Sequence, residues 1–366
     1  MRITNKISMK ILQIITPSRI SGAEKYLIYL SRELIKLGHE LIIIIEKGQK
    51  LIEYINAEFT VVPVKIGGKA NIFGYRRLKK HVELIKPSII HTHLTTASWF
   101  AGWIGKRLKI PVVSTVHAIN SKNSYINATK IIAVSQAVYD DLIVQGVSEK
   151  QVELALNGIP YQKGNCKISK AELMDQLGIP LDHQIIGIVA HFSKKKGHKY
   201  LLKAFSQINN KKLTIVLCGE GKLEKKLKKL CVKLNINQRV IFVGFQKDIY
   251  NMYKLFNILI LPSIKGEGLP LSVLEAMSMG IPVIASSISG LKEIIDDGIN
   301  GYLVPPKNIE YLKDKINYLI NDKSLQNTFG TNGKYKITSQ FTIQNNALRI
   351  LQIYNKILSV YIKINV

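Results

Sequence analysis

Between Lys265 and Ala276 the chain reads KGEGLPLSVLEA, which sets two carboxylates, Glu267 and Glu275, eight residues apart. The segment follows a short apolar run, Ile258–Leu261, and the dipeptide Pro262-Ser263. Pro270 suits the first turn of a helix, where a missing N–H removes no hydrogen bond. The backbone amides just before it, at Gly268 and Leu269, would then point at an anion with the helix dipole behind them. Glu275, more than one turn into that helix, could accept hydrogen bonds from a ribose. Glu267, in the loop, would meet a sugar hydroxyl or an incipient positive charge. Two glutamates at this distance are common, but the Gly-Leu-Pro and Ala-Met-Ser-Met-Gly-Ile-Pro-Val-Ile-Ala surroundings argue against chance.

Other residues could share this chemistry. Lys196 stands in a loop directly after a strand, beside Lys194 and Lys195; the three form either a phosphate clamp or plain surface. His117 ends the strand Val112–Val116 and either faces a ligand or is a satisfied strand-end histidine. His91 and His93, after the preceding strand, have no third ligand near in sequence and read as structural hydrogen-bonders. Gly22 belongs to Ser21-Gly22-Ala23-Glu24, a capping box in which Ser21 caps and Glu24 reaches back. Asp140-Asp141 and Asp296-Asp297 look like helix and turn surface, and no metal site stands out.

These residues need scaffolding, and the apolar pattern supplies it. Strand-like runs alternate with helical patterns along nearly the whole chain, the signature of parallel sheets covered by helices. Strands are expected at Ile11–Ile15, Leu41–Ile45, Ser88–His91, Val112–Val116 and Ile131–Val134. After a polar stretch, Tyr161 to Lys170, the pattern restarts at Ile185–Ala190, Leu213–Leu217, Val240–Val243, Ile258–Leu261 and Pro282–Ala285. Leu27, Leu30, Leu34 and Leu37 line one helix, ended by Gly38. Leu223, Leu227, Leu230 and Leu234 line another, whose lysines form a solvated face. The fold class is α/β: two nucleotide-fold domains, 9–160 and 170–340, facing across a cleft. A last helix in 341–366, with Ala347, Leu351, Tyr354, Leu358 and Tyr361 at helical spacing, packs back on the first domain. Ligands in such sheets sit beyond the carboxyl ends of the strands.

Composition narrows the class. The 366 residues are 46% hydrophobic, enough for two real cores. Cys166, Cys218 and Cys231 are too scattered for disulfides or zinc, which fits a reducing cytoplasm. No apolar run is long enough to span a membrane, and residues 1–8 read as a tail or a misplaced start. The 52 basic against 25 acidic residues give a net charge of +27. It is spread over both halves, +11 in residues 1–160 and +16 in the rest. That favours anionic partners; with no aromatic RNA-binding motif or DNA-reading helix pair, the reading is an anionic membrane surface rather than nucleic acid. Trp99, Phe100 and Trp103, followed by Lys106, Arg107 and Lys109, suit a membrane interface, as does Arg76-Arg77-Leu78-Lys79-Lys80-His81. Taken alone, the two tryptophans are expected to pack their helix on its sheet.

The Glu267–Glu275 segment resembles the Glu-x7-Glu motif of the retaining glycosyltransferases of family 4, of GT-B fold. The similarity runs from Lys10 to the C-terminal helix. It includes Ser21-Gly22-Ala23-Glu24, Ile90-His91-Thr92-His93, Ser114-Thr115-Val116-His117, Asn157-Gly158-Ile159, Lys196-Gly197-His198, Gly219-Glu220-Gly221 and Gly290-Leu291-Lys292-Glu293. It implies that Glu275 binds the donor ribose, Glu267 contacts the donor sugar, and Lys196 holds the diphosphate. It places Gly22 and His117 on the opposite wall and adds Gly221, Gly268 and Leu269 to the donor site. Many relatives carry an arginine five or six residues before the clamp lysine, where this chain has His191, which can donate to phosphate but lacks the bidentate fork. The resemblance implies no cofactor and no metal, a UDP-sugar donor, and an acceptor that is a glycolipid, lipopolysaccharide or envelope-polysaccharide precursor. The place implied is the cytoplasm, at the inner face of the membrane. Alternatives are a soluble GT-B synthase or epimerase, and a non-catalytic binding subunit.

Overall fold

The computed structural model describes residues 8–17, 19–160 and 168–365. The proposed tail up to residue 7, Cys166 and most of the stretch Tyr161 to Lys170 lie outside them. The backbone separates into two units: Met1–Pro160 together with Ile343–Val366, and Tyr161–Thr342.

Unit 1 is built on β1 (Lys10–Ile15), β2 (Glu40–Glu46), β3 (Thr60–Val64), β4 (Ile89–His93), β5 (Val112–Val116), β6 (Lys130–Ala133) and β7 (Val152–Leu154). All pair in parallel, in the order β3-β2-β1-β4-β5-β6-β7. Its central strands are buried along their length because helices cover both faces: β1 from Ile11 to Ile15, and β4 and β5 throughout, although these carry His91, Thr92, His93, Ser114 and Thr115. The helix Gly22–Lys36 buries Tyr26, Leu27, Leu30 and Leu34, and Gly38, at φ +88°, turns the chain out of it. Fully burying each such leucine contributes roughly 1.5–3 kcal/mol.

Unit 2 carries β8 (Gln184–Val189), β9 (Leu213–Cys218), β10 (Val240–Gly244), β11 (Ile258–Leu261), β12 (Val283–Ser286) and β13 (Gly301–Val304). These are also parallel, in the order β10-β9-β8-β11-β12-β13. Ile186, Ile188, Ile215, Leu217 and Ile260 meet Leu201, Phe205 and Leu227 in one core. The Glu224–Lys233 helix buries Leu227 and Cys231. Cys218 and Cys231 are free and buried.

Three strands escape the apolar pattern, and all are at sheet edges. β3 contains Pro63, which an edge tolerates because an N–H is spared there. β7 has only three residues. β13 begins on a glycine and is four residues long. β4 also differs from expectation: it runs two residues further, to His93, so His93 as well as His91 lies on the strand. The last helix, Ile343–Asn365, belongs to unit 1, where it packs against the Gly22–Lys36 helix. Its buried seam is wider than the sequence spacing suggests: Ala347, Ile350, Leu351, Ile353, Tyr354 and Ile357.

The tryptophans do not pack their helix on the sheet. Helix Thr95–Leu108 uses Ala97, Phe100, Ala101 and Ile104 for that. Trp103 is 47% exposed, and Trp99 packs edge-on against it. Lys69 lies over Trp99 and Lys106 over Trp103, each 5.7 Å from the ring centre. Among the described residues no helix is long and apolar enough to cross a membrane.

Each sheet has one point where the strand order reverses. In unit 1 it lies between β1 and β4, and in unit 2 between β8 and β11. Loops leaving neighbouring strands in opposite directions open a crevice at such a point.

Candidate active site

In unit 2 the loop after β8 reaches the crevice first. Lys194–Lys196 form a single tight turn closed by Gly197 at φ +70°. A Cβ on Gly197 would stand 1.8 Å from the Pro262 carbonyl oxygen, so only glycine lets this turn lie against the loop after β11. The Ile264 N–H donates to the Lys195 carbonyl at 2.7 Å and locks the two loops together. The result is a contact across 71 residues: Lys196 Nζ donates to both oxygens of Glu267, at 2.7 and 2.9 Å. The Ser263 hydroxyl donates to Glu267 Oε1 at 2.6 Å. Glu267 is buried, and an ammonium and a hydroxyl satisfy its charge. Lys196 is therefore neither plain surface nor an unengaged clamp. A diphosphate would compete with Glu267 for the same ammonium.

The helix Leu271–Ser278 begins one residue later than the sequence suggests, with Pro270 as its N-cap. Glu275 is 1% exposed and accepts a hydrogen bond from the Tyr253 hydroxyl at 2.8 Å. Burial, with the carboxylate beside it, holds that hydroxyl protonated by pushing its pKa well up. Gly268 and Leu269 are buried in the loop leading to this helix. Behind Lys196, the loop after β9 folds onto the loop after β8: the Phe192 N–H donates to the Glu220 carbonyl at 2.9 Å. A side chain at Gly221 would meet the Phe192 carbonyl oxygen at 2.6 Å and the His191 ring at 2.7 Å. His191 is half-buried against this glycine loop. His198 is buried and neutral, its pKa lowered to about 3 by desolvation and by Lys196 and His191 nearby.

Unit 1 has its own pocket, about 250 Å³, past the ends of β1, β4 and β5. Thr16, Arg19, Ser21, Glu24, Thr95, Thr96, His117, Asn120 and Tyr125 contribute to its walls. Glu24 accepts from the Ser21 N–H at 2.8 Å and from the Ser21 hydroxyl at 2.6 Å. Burial raises its pKa. Among the described residues a Cβ on Gly22 would meet nothing within 4 Å, so their packing does not require glycine there. His117 touches this pocket and, behind it, His93: Nε2 of His117 lies 3.1 Å from Nδ1 of His93. His91 stacks on His93, with ring centres 4.5 Å apart. His91 also bonds the Thr115 hydroxyl through Nε2 and the Tyr354 hydroxyl through Nδ1, at 2.6 and 2.5 Å. Desolvation lowers the pKa of His91 and His117 to about 3, and of His93 well below its ordinary value. Among the described residues no group of three His, Cys, Asp or Glu side chains is arranged to hold a metal ion.

The structure thus makes two clusters, one per unit. Lys196, Glu267, His191 and Gly221 come together with Glu275 held in the adjoining helix; His117 and Gly22 lie in unit 1. The sequence alone assigns no site role to Ser263, Tyr253, Tyr354 or Arg19. Ser263 alone had a signal there, its place directly after β11 at the reversal of strand order.

Two parallel α/β units, each with a polar site at its reversal point, define the GT-B class of two-domain Rossmann-like proteins. Residues 20–163 match the family described as Glycosyltransferase Family 4, and residues 169–336 match Glycosyl transferases group 1. An uncharacterised glycosyltransferase of Methanocaldococcus jannaschii is 25% identical over 92% of this chain and 95% of its own. The Escherichia coli UDP-Gal:alpha-D-GlcNAc-diphosphoundecaprenol alpha-1,3-galactosyltransferase is 26% identical over 78% of this chain and 79% of its own. An Anabaena protein solved in complex with UDP-glucose superimposes with a TM-score of 0.86 at 21% identity, covering 95% of this chain and 100% of that one. The chain belongs to the group 1 glycosyltransferases of family 4 type, and it is a glycosyltransferase.

Proposed function

We propose that this enzyme moves a sugar from a nucleotide-diphosphate-sugar, a UDP-sugar, to a hydroxyl of a lipid-linked or polysaccharide precursor, with retention of configuration. The observation that carries this reading is the Lys196–Glu267–Ser263 cluster at the β8/β11 reversal. When a diphosphate arrives, Lys196 neutralises charge growing on the leaving group, and Glu267 is released toward the sugar as positive charge develops there. Glu275, oriented by Tyr253, takes the ribose hydroxyls. With a leaving group this good, orientation and electrostatics do the catalysis, and a protein nucleophile is not needed. The names of the relatives agree: the Escherichia coli enzyme uses a UDP-sugar and an undecaprenol-linked acceptor, and the Anabaena protein binds UDP-glucose.

We further propose that the enzyme works at an anionic membrane face. Helix Ile72–Ile85 starts with Ile72 and Phe73, 66% and 67% exposed, and continues through Arg76, Arg77, Lys79 and Lys80. Apolar side chains beside a row of cations fit the interface of an anionic bilayer. Tyr75 of this helix packs edge-on against Phe100, which sets it beside the tryptophan helix.

A thermal-shift panel of nucleotide-sugars tests the donor, since a ligand that binds only the folded state raises Tm. UDP-glucose or UDP-galactose should raise it, and transfer or hydrolysis should vanish in Glu267→Ala. If no nucleotide-sugar shifts Tm, the donor reading fails. For the membrane, the protein should sediment with vesicles containing anionic lipid, in a salt-sensitive way. A Phe73→Ser variant that sediments as well as wild type would remove this surface from the account.

A further inference from the structure

The histidine cluster of unit 1 holds a proton arrangement that bears on what His117 can do. β4 places His91 and His93 on one sheet face, two residues apart. His117 follows the neighbouring β5, and its ring centre lies 5.3 Å from that of His93. Tyr26 packs edge-on against both His93 and His117, with ring centres 5.9 and 5.2 Å away. Its hydroxyl donates to Asn346 of the last helix at 2.9 Å.

Two neutral imidazoles sharing one hydrogen bond allow two arrangements. In the first, His93 Nδ1–H donates to His117 Nε2. The His117 proton then sits on Nδ1, and His93 Nε2 is a bare lone pair. In the second, His117 Nε2–H donates to His93 Nδ1, so the His93 proton must sit on Nε2. That Nε2 is buried and, among the described residues, has no hydrogen-bond partner. An orphaned buried N–H is rarer than an unfilled acceptor, and a buried donor left unsatisfied bears its full desolvation penalty. The first arrangement is therefore favoured.

We infer that His93 is a positioning residue that fixes His117 as the Nδ1–H tautomer, so that His117 offers the unit 1 pocket a hydrogen-bond donor and not a base. Its partner is an oxygen of the sugar-bearing ligand; this last clause rests on the proposed function, whereas the tautomer does not. His117 remains a neutral donor throughout the physiological pH range, because burial disfavours its charged form.

The test uses the full chain with 15N-labelled histidine and long-range proton–nitrogen correlation at pH 7, the His117 signals being assigned by their loss in His117→Asn. His117 Nδ1 should show the shift of a protonated nitrogen and Nε2 that of a lone-pair nitrogen. The reverse pattern, or an even average of the two, overturns the inference. Turnover of UDP-glucose and UDP-galactose supplies a second readout. His93→Leu removes the donor and should lower kcat by about tenfold or more with little change in KM, in line with loss of one oriented transition-state contact. His93→Asn keeps an N–H where Nδ1 stood and should recover most of that loss. A folded His93→Leu with wild-type kcat overturns the positioning role. If the wild type turns over neither UDP-sugar, the donor reading is what fails, and the nitrogen shifts still decide the tautomer.

Discussion

Glu267 carries the central charge of the unit 2 site. Its carboxylate is buried and bound by Lys196 and Ser263. Glu267→Gln keeps the shape and removes the charge, so kcat with the nucleotide-sugar should fall about 10²- to 10³-fold; steady-state rates check this. Tyr253→Phe takes a hydroxyl from buried Glu275. Leaving a buried carboxylate short of a donor should lower stability by about 1–3 kcal/mol. Urea unfolding measures that, and UDP affinity should weaken in parallel. His191 lies against the Gly221 loop, where a Cβ on Gly221 would meet its ring at 2.7 Å.

The elements that matter most are turns. Gly197→Ala asks an L-residue to adopt φ +70° with a Cβ 1.8 Å from a carbonyl oxygen. Since the αL conformation alone disfavours a non-glycine by roughly 1–2 kcal/mol, the loss should exceed that. The Lys196 turn should also shift, so UDP affinity falls together with the urea midpoint. Unchanged affinity would mean that the turn is not what places Lys196. The edge strands illustrate the opposite case. β7 has only three residues, β13 only four beginning on a glycine, and β3 is interrupted by Pro63, so the run that reveals the central strands is short or broken there.

On the scale of the molecule, buried neutral histidines set the response to acid. His91, His93 and His198 have folded pKa values far below their ordinary 6.5. The unfolded chain then binds more protons than the folded one between pH 6.5 and about 3. The stability these groups contribute is complete above pH 6.5 and is lost as pH falls through that window. Each contributes up to about 1.4 kcal/mol per pH unit. Tm should be flat near pH 7 to 8 and drop steeply below 6. A His91→Gln variant, if it folds, should show a shallower drop in a scan of Tm against pH. The charge of +27 acts differently: it is spread over both units, so salt should weaken binding to anionic surfaces more than it alters the fold.

Much of this protein is legible in its residues alone. The α/β class follows from apolar runs alternating with helical patterns, because parallel strands covered on both faces are mostly apolar, β4 with its two histidines being the exception. The Glu267–Glu275 segment and Lys196 follow from short-range logic: a strand, a loop, a helix start and the side chains beside them. What needed the folded chain is every contact between residues distant in sequence. Lys196 meets Glu267 only because Gly197 can lie on Pro262. Tyr354 reaches His91 across 263 residues because the last helix returns to unit 1. His117 finds His93 because β4 and β5 are neighbours. The burial that makes those histidines neutral, and so decides whether His117 is a donor or a base, is a property of packing that no local spacing encodes.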